Sequence, residues 1–358
     1  MTIEFWTSQV AAPRRAARQA EAVEAAGWTG ITTVDSQNLS GDPYLFLGLA
    51  ATSTDGLGLM TSVTNPVTRH PATTACSALS VQHLSGGRMV LGIGRGDSAL
   101  AYLGRSPARL GHFEQYLKNL RAYLNHEAVP FEDCLLGDDV ALPLDALDLA
   151  DQPRESVIHW ARDVQVDPVP IEVAATGPKV IGMAARHADR VLFALGADPG
   201  RIAWGMETAR AAADRAGRDP AEISFGAYVN VVCEEDVARA RDIGRAGTSL
   251  FARFSVMHGT VSGPASPEQH EVLQEVRRTY DMNKHARQGS RQSEQLTDEF
   301  LDGFAILGDE AHCVDRLGEL VELGVSKFCV SGAPFASRDP ELAEISMRVI
   351  RDVAPQLS

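Results

Sequence analysis

The chain has 358 residues, and its 33 Lys and Arg against 47 Asp and Glu give a formal net charge of −14 at pH 7. Hydrophobic residues make up 44% and charged residues 22%, which is typical of a soluble globular protein and excludes a chain dominated by disorder. The acidic balance argues against nucleic acid or an anionic membrane as the main partner, because either partner requires a basic face.

Targeting and metal-binding patterns are missing from the sequence. The first residues lack the basic-then-apolar order of a signal peptide, and no run approaches the ~18 apolar residues of a membrane span. The five cysteines are scattered and never form a C-x-x-C pair, and the ten histidines form no H-E-x-x-H pattern. These patterns predict a cytoplasmic protein with reduced thiols and no metal site.

Short β-rich runs alternate with longer helical runs along the chain. Ile3–Ser8 is the first, and a predicted helix from about Pro13 to Ala26 follows it. Gly27 ends that helix before a second strand at Gly30–Val34, and the same helix–glycine–strand order recurs later. The pattern predicts eight strands, near residues 3, 31, 59, 89, 171, 191, 225 and 327.

Most of these strands are uniformly apolar, as parallel strands covered by helices on both faces should be. Eight strands that are each followed by a helix favour a (β/α)8 TIM barrel, with residues 1–358 as one domain. A doubly wound open sheet is the alternative, because periodicity cannot distinguish a closed sheet from an open one.

Two segments interrupt the alternation. Residues 127–168 are rich in Asp and Pro and have little helical period, so we expect a long connection there. Residues 255–300 form a polar insertion after the seventh strand, which in a barrel lies on the catalytic face and could serve as a lid. A solvated peripheral excursion is the alternative. Within this insertion His258, Tyr280 and His285 are lid candidates to which the sequence assigns no role.

The barrel hypothesis directs attention to the carboxyl ends of the strands. Asp35 and Asp97 each follow a strand and are the best acid candidates by position, although helix capping would explain either about as well. We group Ser36, which follows Asp35 directly, with them as a candidate catalytic residue. No G-x-S-x-G elbow for hydrolysis is present.

Two turns could hold an anion. Thr176-Gly177-Pro178-Lys179 begins a predicted helix, where free backbone N–H groups and the positive end of the dipole suit a phosphate. Gly94-Arg95-Gly96 places a guanidinium between two glycines, which suits an oxyanion. Neither matches a Walker loop or the G-x-G-x-x-G fingerprint, and a turn glycine beside a surface arginine is the simpler alternative.

The segment from Thr61 to Ser98 resembles the bacterial luciferase-like superfamily of flavin- or deazaflavin-dependent oxidoreductases. It carries T-N-P-x-T-R-H-P after the third strand, S-G-G-R before the fourth and G-I-G-x-G-D after it. Within the superfamily it is most similar to methylenetetrahydromethanopterin reductase-like proteins. The resemblance implies a (β/α)8 barrel with insertions, usually dimeric, that binds its cofactor at the strand ends.

The resemblance also implies roles for particular residues. Ser62-Val63 would be a non-prolyl cis peptide against the flavin ring, and Thr64 and Asn65 would line the edge of the ring. The cofactor phosphate would be bound by the turn formed by Ala175, Thr176 and Gly177, with Lys179 just beyond them.

The choice of cofactor depends on two departures from the family pattern. Deazaflavin enzymes of the superfamily typically have Asp-His where this chain has Asp35-Ser36. Methanopterin reductases resemble G-x-G-P-G-D after the fourth strand, whereas this chain has Arg95, whose positive charge suits the terminal phosphate of FMN. We therefore expect FMN, with coenzyme F-420 as the alternative.

The main functional hypothesis is a reduced-FMN-dependent monooxygenase that acts on a small organic substrate. A separate flavin reductase would supply its reduced FMN, and the enzyme would form a homodimer. An F-420-dependent hydride-transfer reductase or dehydrogenase and a non-catalytic flavin-binding protein are the alternatives.

Overall fold

The computed structural model describes residues 2–357. Its strands are β1 (Glu4–Gln9), β2 (Gly30–Thr33), β3 (Gly58–Thr61), β4 (Met89–Ile93), β5 (Val129–Pro130), β6 (Glu155–Ser156), β7 (Ile171–Ala175), β8 (Arg190–Phe193), β9 (Ser224–Cys233), β10 (Ile306–Gly308) and β11 (Lys327–Gly332). Eight of them pair in parallel in the order β1-β2-β3-β4-β7-β8-β9-β11, and β11 pairs with β1 again. The closed ring confirms the (β/α)8 barrel, and the open doubly wound sheet is wrong.

Helices surround this ring. They are α1 (Ala16–Ala25), α2 (Pro43–Ser53), α3 (Pro71–Ser85), α4 (Ser98–Ala101), α5 (Leu110–Leu124), α6 (His159–Asp163), α7 (Pro178–His187), α8 (Pro199–Arg215), α9 (Val237–Val256), α10 (Pro267–Thr279), α11 (Asp298–Phe304), α12 (Glu310–Leu323) and α13 (Pro340–Arg348). The predicted first helix begins with a short turn at Pro13–Arg15 and continues as α1. None of the helices within residues 2–357 is both long enough and apolar enough to cross a membrane.

The eight ring strands are the eight that the sequence predicts, but β10 was not predicted. It pairs with the last residues of β9, from Val231 to Cys233, outside the closed ring. Three residues are too few to give a periodic signal, so the sequence pattern shows only the helix start that follows. There Asp309 caps α12 by accepting a hydrogen bond from the His312 amide at 2.9 Å.

Large side chains fill the amino-terminal end of the barrel. The Lys327 Nζ atom lies 2.9 Å from Glu172 Oε1 and 3.6 Å from the centre of the Trp6 ring, and all three side chains are buried. Gly30 and Gly58 leave room for the Trp6 ring, because a Cβ at either position would lie about 2.5 Å from it. These side chains fill this end of the barrel, and the cavity described below lies at the opposite end.

The two irregular segments differ in structure. Residues 127–168 hold the short β5–β6 pair, two single turns and the five-residue helix α6. Between the end of α9 and the start of α11, residues 255–300 hold the helix α10, which begins with a capping box between Ser266 and Gln269. The second segment packs on α9 and reaches the carboxyl ends of the strands.

Candidate active site

A cavity of about 360 Å³ lies at the carboxyl ends of the barrel strands. The ends of most ring strands contribute to its wall, together with α9 and the insertion at 255–300. Of the sequence-predicted site residues, the following line it: Asp35, Ser36, Ser62, Val63, Asn65, Arg95, Asp97, Thr176 and Gly177. The structure thus brings together residues that are up to 142 positions apart in the chain, from Asp35 to Gly177.

The three other predicted residues lie elsewhere. Thr64 and Ala175 are buried behind the cavity wall, and Lys179 is exposed on the first turn of α7. Lys179 therefore does not contribute to the cavity. No group of three or more His, Cys, Asp or Glu side chains within residues 2–357 is placed to hold a metal ion.

The Ser62-Val63 peptide bond is cis, as the resemblance implies. Ser62 Oγ lies 2.9 Å from the hydroxyl of Tyr228, which reaches the cavity from β9. On the other side of the bond, a Cβ at Gly94 would stand 3.1 Å from the Val63 side chain. Glycine at position 94 therefore accommodates the close approach of the third and fourth strand ends.

Asp35 is buried and bound by two donors from the segment after β3. Its Oδ2 atom accepts a hydrogen bond from Thr64 Oγ1 at 2.7 Å and pairs with the Arg69 guanidinium. The same guanidinium reaches Asp42 at 2.9 Å and lies over the ring of Tyr44. Asp35 is thus not a helix cap, and it fixes the course of the chain that follows the cis peptide.

Asp97 connects the barrel to α9 and the insertion. It precedes α4 without any capping hydrogen bond from its side chain, so the capping alternative does not apply here either. Its carboxylate pairs with Arg253 of α9, and the Arg253 guanidinium lies 4.5 Å from the centre of the Tyr280 ring. Nearby, the Ser36 and Ser98 hydroxyl oxygens are 3.1 Å apart.

Arg95 and the start of α7 form the positive part of the cavity. The Arg95 Nε atom donates to the Ala108 carbonyl at 2.7 Å, and Nη1 lies 3.2 Å from His258 Nε2. Burial lowers the pKa of Arg95 from its usual value, and among residues 2–357 no carboxylate pairs with it. Gly177 caps α7 with no side-chain hydrogen bond. Pro178 has no N–H and the Val180 N–H donates to the Gly177 carbonyl at 3.0 Å, so within residues 2–357 it is the Lys179 N–H of the first turn that remains open to an anion.

Sequence reasoning missed the apolar wall opposite these polar groups. Three α9 residues, Leu250, Phe251 and Phe254, line it together with Met257, which caps the end of that helix. Phe251 stacks on Tyr228 with ring centres 5.4 Å apart. Cys329 of β11 also lines the cavity, and burial raises the pKa of this thiol to about 12, so it stays protonated. Apolar residues at 250, 254 and 257, along α9 and at its C-terminal cap, follow a helical spacing, but the sequence does not show which part of the protein they face.

Residues 2–327 match the family model described as luciferase-like monooxygenase. The match spans most of the chain and includes every strand that lines the cavity except the last residues of β11. The chain therefore belongs to the luciferase-like monooxygenase family.

Curated relatives share sequence over much of this length. The chain is 28% identical over 319 residues to 5,10-methylenetetrahydromethanopterin reductase from Methanolobus tindarius, which covers 89% of this chain and 90% of the relative. It is 29% identical over 214 residues to the F-420-dependent hydroxymycolic acid dehydrogenase of Mycobacterium tuberculosis, covering 58% of this chain and 54% of that protein.

Solved structures show the same fold. The coenzyme F-420-dependent tetrahydromethanopterin reductase from Methanopyrus kandleri superposes with a TM-score of 0.72 at 20% identity, over 100% of both chains. The oxygenating constituent of a Pseudomonas putida 3,6-diketocamphane monooxygenase, solved with FMN, gives a TM-score of 0.64 at 16% identity, over 100% of this chain and 99% of that one.

Proposed function

We propose that the chain is an oxidoreductase that uses the deazaflavin coenzyme F-420 to transfer hydride. The observation that carries this proposal is the 28% identity to a methylenetetrahydromethanopterin reductase over 89% of the chain. A relative whose name states F-420 dependence also matches in sequence, whereas the FMN enzyme reported above shares only the fold. The comparisons thus favour the alternative over our main expectation of an FMN monooxygenase.

The residues at the cavity fit an anionic, ring-bearing cofactor. Arg95 has no acidic partner among residues 2–357, and the start of α7 has no side-chain cap, so both can bind a phosphate oxygen. Val63 and Ala174 give an apolar surface between them for a flat ring. When bound, a deazaflavin supplies hydride and does not usefully activate oxygen.

The chain's own residues would bind, orient and shield this group. Arg95 and Gly177 would bind the phosphate, and the segment around the Ser62-Val63 bond would set the plane of the ring. Asp35 acts as a positioning residue in this scheme, because it binds Thr64 and Arg69 in that segment. Asp97 and Ser36 line the cavity and would contact the bound molecules directly.

A second observation argues against a protein that only stores a flavin. The insertion contributes His258, Ser262 and His285 to the cavity wall, so it covers the site instead of projecting away from it. A cover that excludes water is needed for chemistry at a reduced cofactor. We therefore place the non-catalytic alternative last.

Parallel titrations test the proposal. Purified protein would be titrated with F-420 and with FMN, and reduced F-420 would then be mixed anaerobically with a panel of carbonyl compounds. We expect F-420 to bind at least about tenfold more tightly than FMN, which corresponds to about 1.4 kcal/mol. Preferential FMN binding, with oxygen uptake coupled to product when reduced FMN is supplied, would instead establish the monooxygenase.

A further inference from the structure

Two histidines of the insertion line the cavity, and they differ in their surroundings. His258 lies against Arg95 and belongs to the positive part of the site. His285 lies in an otherwise irregular stretch, and the proposed function does not use it.

A chain of side chains holds the His285 imidazole in place. Its Nδ1 atom is 2.9 Å from the Tyr280 hydroxyl, the Tyr280 ring lies under Arg253, and Arg253 pairs with Asp97. The backbone between these residues is fixed separately, because Tyr102 donates a hydrogen bond to the Met282 carbonyl at 2.9 Å. The imidazole is therefore positioned from the barrel, through α9, although its neighbours in the chain are exposed.

This arrangement favours one tautomer of a neutral imidazole. Burial lowers the pKa of His285, and Arg253 lowers it further while Asp97 opposes the shift. Burial raises the pKa of Tyr280, so the phenol keeps its proton and can donate it to Nδ1. A guanidinium over the ring makes the phenol a better donor. With Nδ1 accepting, the hydrogen resides on Nε2, which makes no hydrogen bond within residues 2–357.

The cavity wall that His285 shares also carries apolar side chains and paired polar groups. Leu250 and Phe254 of α9 and Met257 just after it line the cavity, and the Ser331 hydroxyl donates to Asn230 Oδ1 at 2.9 Å. Both carboxylates at the cavity are bound by arginines. The His285 Nε2–H is an uncharged donor on a wall that also carries apolar side chains, which suits an uncharged molecule with an acceptor oxygen.

We propose that His285 Nε2–H donates a hydrogen bond to the carbonyl oxygen of an uncharged ketone or aldehyde, the hydride acceptor of this enzyme. The inference rests on the proposed function. When F-420 is bound, its reduced form would supply a hydride to the carbonyl carbon, the C=O π bond would break, and the oxygen would take a proton from solvent. The products are an alcohol and the oxidised deazaflavin. His285 stabilises the charge that develops on oxygen, as a neutral imidazole can.

The tautomer can be measured without cofactor or substrate. Long-range 1H–15N spectra of protein labelled with 15N-histidine report which nitrogen of each imidazole carries hydrogen, and His285→Leu identifies the resonance. We expect the Nε2–H tautomer in the unmodified protein and a mixture of tautomers in Tyr280→Phe. A predominant Nδ1–H tautomer in the unmodified protein would overturn the inference.

Kinetics test the role in the reaction. With reduced F-420, the probes would be cyclohexanone and its charged counterpart 4-oxocyclohexanecarboxylate. We expect turnover of the uncharged ketone only, and a loss of about 10²–10³-fold in kcat for His285→Leu with an unchanged Kd for F-420. His285→Gln keeps an N–H donor and should recover part of the loss. His270→Leu, an exposed histidine on α10, is the matched control.

The outcomes separate the two proposals. Failure of F-420 to bind contradicts the proposed function. The NMR measurement of the His285 tautomer does not need the cofactor, so it still tests whether Nε2 carries the hydrogen. Normal turnover of cyclohexanone by His285→Leu, or equal turnover of the charged probe, overturns the inference and leaves the proposed function standing.

Discussion

Each carboxylate at the cavity is bound by an arginine from another part of the chain, and this limits the chemistry open to it. Asp35 pairs with Arg69, and Asp97 pairs with Arg253. A carboxylate held by a guanidinium accepts hydrogen bonds and has no proton to give. Arg95 is the cation at the cavity that remains available to a bound anion.

Replacement of Arg95 by Ala should weaken cofactor binding. Loss of a charge-assisted hydrogen bond costs about 1.5–3 kcal/mol, so we expect the Kd for F-420 to rise roughly 10- to 150-fold. Fluorescence titration of F-420 measures it. Arg105→Ala, an exposed arginine ten residues further along that is outside the cavity wall, should leave the Kd unchanged. An unaltered Kd in Arg95→Ala would remove this residue from the phosphate site.

Replacement of Gly177 by Val should block cofactor binding and leave the fold intact. The φ angle at this position is −87°, and a Cβ would meet only Ser262 Oγ, at 3.7 Å. The added methyl groups would project where we place the phosphate. Circular dichroism and thermal melting should match the unmodified protein, while F-420 no longer binds; Gly177→Ala should show a smaller loss. Normal binding by the Val variant would contradict the assignment of this turn.

At the scale of elements, one buried arginine connects α8 to the insertion. Arg201 is 2% exposed and donates to the carbonyls of Leu195, Ser262 and Pro264 and to the Ser255 hydroxyl. Burial lowers its pKa to about 10, which still leaves it charged at neutral pH. Ser262 lies beside Gly177, so Arg201 positions the part of the insertion that covers the proposed phosphate site.

Arg201→Met should therefore destabilise the protein and loosen the insertion. It leaves several buried acceptors without a donor, each of which costs about 1–3 kcal/mol, and we expect the free energy of unfolding to fall by at least about 2 kcal/mol. Urea denaturation measures this loss. Arg210→Met is the matched control, because Arg210 is exposed on the same helix and its guanidinium lies over the Phe225 ring. An equal fall in the free energy of unfolding in both variants would show that the buried hydrogen bonds of Arg201 do not stabilise the protein.

The barrel elements could be predicted from the sequence because each carries a local signal. Strand β3 is an apolar run, and Gly86 closes α3 in the left-handed conformation with φ of 64°. The cis bond at Ser62-Val63 was implied by the family resemblance of a short motif and is present, whereas anion binding at the Gly177 turn stays a prediction.

The rest of the site depends on contacts between distant residues. Arg253 pairs with Asp97 across 156 positions, and Tyr228 reaches Ser62 across 166. Neither partner carries a local pattern that points to the other. The closure of the sheet, the direction in which α9 presents its apolar stripe and the placement of His285 are likewise set by tertiary packing. For Lys179 the local motif was misleading. The motif predicted this residue in the site, but its position on the first turn of α7 leaves it exposed to solvent.

For the whole molecule, the homodimer expected from the sequence remains a prediction, and the charge distribution indicates which face to test. Helices α2 and α3 contain no Asp, Glu, Lys or Arg, and they expose Leu45, Leu49 and Leu84. Two copies that each carry a charge of −14 repel one another, and a two-fold contact pairs each face with itself. An uncharged apolar face is therefore the favoured place for self-association.

The double variant Leu45→Glu, Leu49→Glu should convert a dimer into a monomer. Like charges would then meet across the two-fold axis, and sedimentation velocity reports the change in mass. Leu142→Glu, Leu147→Glu places the same charges on exposed leucines of the 127–168 segment and should leave the dimer intact. A monomeric unmodified protein at micromolar concentration would show that the prediction is wrong.

Acidification should destabilise the fold in the range where histidines titrate. Burial lowers the pKa of four histidines below 6.5: His70, His187, His258 and His285. Near pH 6 the unfolded chain therefore binds more protons than the folded one, so the free energy of unfolding rises with pH. The stability is fully present above about pH 7 and declines as the pH falls through 6.5 toward the lower folded values. Urea denaturation at pH 5.5, 6.5 and 7.5 measures the slope, which should be smaller in His187→Gln and His285→Gln. A flat or inverted profile over this range would contradict the assignment of these imidazoles as neutral in the folded protein.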